Sequence, residues 1–189
     1  NTHIHVLEAY TALYKVWKDD GLRERLAKVI NLITTKLYNS QTHHLILYCD
    51  SNWNNLDDID SYGHDIETSW LLTEAAEALG DPEVIGKCRK VALERHKDKI
   101  RKDASWWCQA ETVVGCINAW QLTGEQSYLD SAVRTWNFIK SRMIDKEYGE
   151  WFRTVLEDGT PRYKEPKASM WNCPYHNSRM GFEIDTRLK

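Results

Sequence analysis

Several classes of protein are excluded by what this 189-residue sequence does not contain. No arm or stripe of Lys and Arg exists: 25 basic and 28 acidic side chains are mixed along the chain, for a net charge of −3. Nucleic acid and anionic membrane are therefore poor partners to expect. The apolar runs are only a few residues long, too short to span a bilayer. No charged-then-apolar leader opens the chain, so no signal peptide is expected and the location expected is cytoplasmic. The five cysteines (Cys49, Cys88, Cys108, Cys116, Cys173) are odd in number, scattered, and never paired as CxxC. That pattern points to reduced thiols rather than a disulfide framework or a zinc site. HExxH and EF-hand patterns are missing as well. Phenylalanine is scarce, with 3 residues against 9 Trp and 9 Tyr. Trp and Tyr combine an apolar face with a polar handle, so their excess, with 7 His, hints at a wet, aromatic-lined pocket.

Apolar spacing predicts seven helices. The first covers Val6 to Trp17 and the second Leu22 to Leu37. The third runs from Tyr62 to Leu79 and stops at Gly80-Asp81-Pro82, where Gly ends one helix and Pro suits the first turn of the next. The fourth is expected over Pro82 to Lys99, the fifth from Asp103 or Ser105 to Thr123, the sixth over Gln126 to Ile144, and the seventh from after Pro174 to Leu188. His44 to Trp53 and Tyr148 to Leu156 have strand-like content and turn residues. A crude repeat emerges: helix, short polar turn, helix, long hairpin-bearing loop. It is the pattern of stacked helical hairpins.

The unusual polar residues fall at the starts of the odd-numbered helices. Asn1 and His5 are i,i+4, as are Trp107 and Glu111; His64 and Glu67 are i,i+3, as are His176 and Arg179. If the hairpins curl into a ring, these pairs converge at one rim. His5, His64, Glu67 and His176 would also make a metal-ligand set, although none of the usual metal motifs accompanies them. Two imidazoles near a carboxylate equally suit metal-free proton transfer, because the ordinary histidine pKa lies near neutrality. A glycosidase would need two suitably placed carboxylates, for which Glu67 and Glu111 are the candidates. His3, His43 and His44 are set aside as surface or loop residues, and Glu74 and Glu77 as solvated helix face.

Five strings in order, NTHIHVLEAYT, YGHDIETSWLLTEAAEALGD, WWCQAETVVGCINAWQLTG, YGEWF and KASMWNCPYHNSRM, give a closer indication. Together they resemble the C-terminal half of the cellobiose 2-epimerases, in the N-acylglucosamine 2-epimerase superfamily. The resemblance implies an all-α fold: helical hairpins forming the C-terminal half of an (α/α)6 barrel, with short β-hairpin loops, and residues 1–189 as one partial barrel domain. It implies that His64 and His176 are the acid/base histidines that open the sugar ring and exchange the C2 proton through a cis-enediolate. His5, with Asn1 beside it, would stabilise the enediolate and the open-chain sugar. Glu67 and Glu111 would hold hydroxyls or orient the histidines, while Trp107 and Trp171, and less directly Trp70, would stack on sugar rings. The reaction implied turns the reducing-end glucose of cellobiose or lactose into mannose without a cofactor or metal. Aldose–ketose isomerases share the fold, and a non-catalytic carbohydrate-binding remnant is a further alternative.

Departures from the family pattern accompany the resemblance. The chain begins inside the first motif, so about half of the barrel is expected to be absent, with the arginine that neutralises the enediolate in that half. The segment between Glu94 and Ser105 lacks the family's Gly-rich loop, and Cys108 and Thr112 stand where relatives vary. A half barrel is expected to expose apolar surface that either the N-terminal half or a second copy would cover.

Overall fold

The computed structural model describes residues 1–57, 59–93 and 103–189. Its order is α1 (Thr2–Val16), α2 (Asp20–Leu32), α3 (Tyr62–Leu79), α4 (Pro82–Leu93), β1 (Ala104–Ser105), α5 (Trp106–Thr123), α6 (Gln126–Phe138), β2 (Thr154–Val155) and α7 (Tyr175–Arg187). The expected end of the fourth helix and the shortened loop after Glu94 lie largely outside the described residues. The chain divides into two compact units, Asn1–Lys97 and Asp98–Lys189.

In the first unit α1 packs on α2 and α3, and α3 on α4. Leu7, Leu26, Ile33, Leu71 and Leu72 are fully buried between them. Each such side chain contributes about 1.5–3 kcal/mol by leaving water. The Asp19 carboxylate caps α2 by accepting the Leu22 N–H at 2.8 Å. Gly80 ends α3 at φ +71°, the left-handed conformation that costs a side-chain-bearing residue energy and glycine little. Helix α1 begins four residues earlier than its apolar spacing predicts, which brings His3 and His5 into its first turns.

The second unit packs α5 against α6 and α7, around Val113, Val114, Ile139 and Met143. Strands β1 and β2 pair antiparallel, Ala104 opposite Val155 and Ser105 opposite Thr154. The Trp106 N–H then donates to the Arg153 carbonyl at 3.0 Å, so the strand pair fixes where α5 starts. Strand content is sparser than the sequence predicts: the His44–Trp53 stretch forms isolated bridges, and Tyr148–Leu156 yields only β2 and further bridges. None of the five cysteines is in a disulfide. Burial pushes the Cys88 thiol up to about 11 and raises that of Cys116, so neither ionises near neutrality.

Helices α2 and α6 differ from expectation in the same way. Each is regular for 13 residues and then widens into a π-helical turn, Ile33–Leu37 after α2 and Ile139–Met143 after α6. The two stretches run at a constant offset of 106 residues, Asp20 against Gln126 and Ile33 against Ile139. The wide turn ends the helix and delivers an extended residue, Tyr38 or Ile144, into a bridge with Leu45 or Trp151.

Candidate active site

Within the second unit, the conspicuous residues of α5 and α7 meet. His176, in the first turn of α7, has its Nδ1 2.8 Å from the Glu111 carboxylate on α5. One turn further along α7, the Arg179 guanidinium donates to the same Glu111 oxygen at 2.8 Å. Glu111 is 1% exposed, and a carboxylate so deeply buried stays charged only when cationic or N–H partners replace its water. Because a carboxylate accepts, Nδ1 of His176 carries a proton and Nε2 is the basic nitrogen of the neutral ring. One Glu111 oxygen is thus shared by an imidazole and a guanidinium. Arg179 also donates to the Tyr175 hydroxyl and lies 4.5 Å from the centre of that ring.

Aromatic rings surround His176. Trp107 lies 5.5 Å away between ring centres, Trp106 6.2 Å and Tyr175 4.8 Å. Trp106 is buried and Trp107 half-buried, so of the Trp pair the second keeps part of its surface open. Trp171, in the loop before α7, is 79% exposed.

Within the first unit, the starts of α1 and α3 carry the rest. Glu67 is 1% exposed. His5 Nδ1 lies 3.3 Å from the Glu8 carboxylate, and His64 Nδ1 2.6 Å from the Ser61 hydroxyl just before α3. Trp70 corrects an expectation. It is 1% exposed and the largest fully buried side chain, so it fills the core beside α3 and offers no ring face for a sugar. Glu74, expected to be solvated, pairs with Lys15 across α1 and α3.

His44 is the residue that sequence reasoning passed over. It is buried, donates from Nδ1 to the Asp65 carboxylate at 2.7 Å, and meets the Tyr62 ring edge-on at 5.3 Å. The only sequence signal was Asp65 itself, a carboxylate directly after His64 in a helical first turn.

With this geometry established, comparison with known proteins is decisive. Residues 1–177 match the model of the N-acylglucosamine 2-epimerase (GlcNAc 2-epimerase) family. The chain belongs to that family. It is 40% identical to a cellobiose 2-epimerase of Bacteroides fragilis, an alignment covering 97% of this chain and 52% of that protein. The crystal structure of a sugar epimerase from a ruminal bacterium superimposes with a TM-score of 0.89 at 37% identity, over 98% of this chain and 52% of the other. The cellobiose 2-epimerase of Bacillus thermoamylovorans gives the same TM-score at 36% identity and the same coverage. The chain therefore spans about half the length of the relatives it matches, and its fold class is all-α, that of the C-terminal half of an (α/α)6 barrel.

Proposed function

We propose that the chain, as one partial barrel domain, carries the C-terminal half of an epimerase active site for β-1,4-linked disaccharides such as cellobiose and lactose. In this reading His64 and His176 remove and return the C2 proton of the reducing-end sugar from opposite faces, through a cis-enediolate. One imidazole is the base while the other is the acid, and the reverse reaction exchanges their roles. His5 and Asn1 hold the open-chain oxygens, and Glu67 holds hydroxyls. Trp107 and Trp171 stack on the C–H faces of the rings. Trp70, being core, has no part. No cofactor is required for this chemistry.

The observation that carries the reading is the His176–Glu111–Arg179 cluster beside Trp107. Glu111 fixes the His176 tautomer with Nε2 as the basic nitrogen and stabilises the imidazolium once a proton arrives. That is a proton-transfer arrangement next to an aromatic surface, and the names of the similar proteins, cellobiose 2-epimerase and sugar epimerase, fit it.

Incubating a full-length barrel that contains this half with cellobiose in heavy water tests the reading. Deuterium at C2 and formation of the mannose epimer are expected, with His64→Ala or His176→Ala lowering exchange at least about 100-fold. Retained exchange in either variant overturns the assignment. Deuterium at C1 with ketose product would instead make the protein an aldose–ketose isomerase, and saturable binding without exchange a carbohydrate-binding module. Activity lost to a chelator and restored by metal would replace the cofactor-free mechanism. We propose also that protein, either an N-terminal half or a second copy, covers the exposed apolar side chains described below.

A further inference from the structure

The repeat at an offset of 106 residues extends past the π-helical turns into the loops that follow, and it reproduces hydrogen bonds as well as backbone. Asn39 N–H donates to the His44 carbonyl at 3.0 Å, and Asp145 N–H to the Glu150 carbonyl at 2.9 Å. His43 N–H reaches the Asn39 carbonyl, and Gly149 N–H the Asp145 carbonyl. The side-chain oxygen of Asn39 accepts the N–H groups of Gln41 and Thr42, just as that of Asp145 accepts those of Glu147 and Tyr148. His43 and Gly149 both have positive φ, 61° and 74°. By this register His44 is the counterpart of Glu150, and Leu45 of Trp151.

Each counterpart side chain holds the residue directly after one of the two proposed acid/base histidines. In the first unit, Asp65, which follows His64, accepts from His44 Nδ1 at 2.7 Å and from the Leu45 N–H at 2.9 Å. In the second, Glu150 accepts from the Nδ2 of Asn177, which follows His176, at 2.7 Å and from the Trp151 N–H at 3.2 Å. Both clasps contain one carboxylate, one side-chain N–H and one backbone N–H from the bridging residue. Only the sides differ: the helix supplies the carboxylate in the first clasp and the loop supplies it in the second. The two side-chain bonds, at 2.7 Å, are of the stronger charge-assisted kind and each spans from loop to helical first turn, whereas the Trp151 N–H bond to Glu150 stays within its loop.

We infer that His44 and Glu150 are positioning residues, equivalent by internal repeat, that lock the first turns of α3 and α7 and thereby fix the His64 and His176 rings. The inference rests on the epimerase reading for why those two rings must be fixed. A rigid first turn matters there because a displacement of about 1 Å at a reacting group costs on the order of 100-fold in rate. Other charges face the first clasp: His44 Nε2 lies 3.8 Å from the Asp60 carboxylate. In the second unit, the neighbouring turn is held by Lys167, which donates to Asp145 at 2.6 Å and to the Gly149 carbonyl at 2.9 Å.

Imidazole 15N NMR of the same full-length barrel reads the ring tautomers directly, with cellobiose C2 exchange measured on the same samples. His176 is expected as a single Nδ1–H tautomer. Glu150→Ala is expected to turn it into a mixture while His64 keeps its wild-type signals. His44→Ala is expected to disturb His64 and spare His176. Rebuilding the second clasp in the form of the first, by Glu150→His together with Asn177→Asp, is expected to restore His176. Where exchange is measurable, each single variant lowers kcat about ten- to hundred-fold with KM little changed. Unchanged tautomers in both single variants overturn the inference, as does a change that comes only with loss of helical circular dichroism. If a single variant does lose helix, Glu150→Gln, which keeps the shape and removes the charge, is read against the same two outcomes. Wild-type protein without C2 exchange, but with the clasp effects intact, sinks the epimerase reading and leaves the clasps standing.

Discussion

At Glu111 the cost of burying a charge is met by two N–H donors from one helix, the His176 imidazole and the Arg179 guanidinium. An i,i+3 spacing on α7 places the ring and the guanidinium over the same oxygen, so the pair acts as a unit. Truncating the acid would take a charged partner away from the largely buried Arg179. Glu111→Ala is therefore expected to destabilise the fold by about 3–5 kcal/mol, read as a shift of the urea midpoint at unchanged slope. Glu111→Gln, which keeps one acceptor and loses the charge, is expected to cost less but to mix the His176 tautomers. A Glu111→Ala protein as stable as wild type would remove Glu111 from the structural core of the site.

Elements in this protein are held by their ends. The strand pair sets the start of α5, the π-helical turns set the ends of α2 and α6, and the following loops return to brace the first turns of α3 and α7. In the loop after α6, the Lys167 ammonium and two backbone N–H groups hold the Asp145 carboxyl below its ordinary pKa, the lysine bond being the largest cause. A carboxyl depressed in the folded state adds stability that is fully present above its unfolded pKa, near 4, and is lost as pH falls through the lower folded value. Hydrogen exchange of the Glu147 and Tyr148 amides, which donate to Asp145, is thus expected to accelerate below about pH 4 beyond its intrinsic rate. In Asp145→Asn, which cannot titrate, that acid limb should disappear; an unaltered limb would place the sensitive group elsewhere.

At the scale of the whole molecule, several large apolar side chains are open to solvent. Val16 and Trp17 at the end of α1, and Met170 and Phe182 around α7, are all more than half exposed. Single exposed apolar residues are ordinary; several large ones are what the covering proposed above would bury. Among the described residues no helix is long and apolar enough to cross a membrane, so a bilayer-spanning helix there does not account for them. Under the covering proposed above, sedimentation velocity should show mass rising with concentration, and Phe182→Asp should lower it. A monodisperse monomer at every concentration would overturn self-association.

The sequence by itself determined the helical hairpins and the family. Helix periodicity and the Gly-Asp-Pro stop placed α3 at Tyr62–Leu79 residue for residue, and short motifs at the starts of the odd helices marked His64, Glu111 and His176. These are local patterns, and local patterns survive in one dimension. Trp70 shows the limit: an aromatic nearly two turns past His64 reads as a sugar platform until its burial is known, because an i,i+6 spacing does not say which helix face a core occupies. The π-helical turns were also illegible, since their extra residue leaves the apolar spacing nearly unchanged. His44 and Glu150 were hidden most completely. Each bonds a residue more than 20 positions away, and the equivalence of the two clasps is carried by backbone register while the carboxylate changes sides. Only the folded chain, by closing those loops onto α3 and α7, made a histidine and a glutamate the same part of one repeated device.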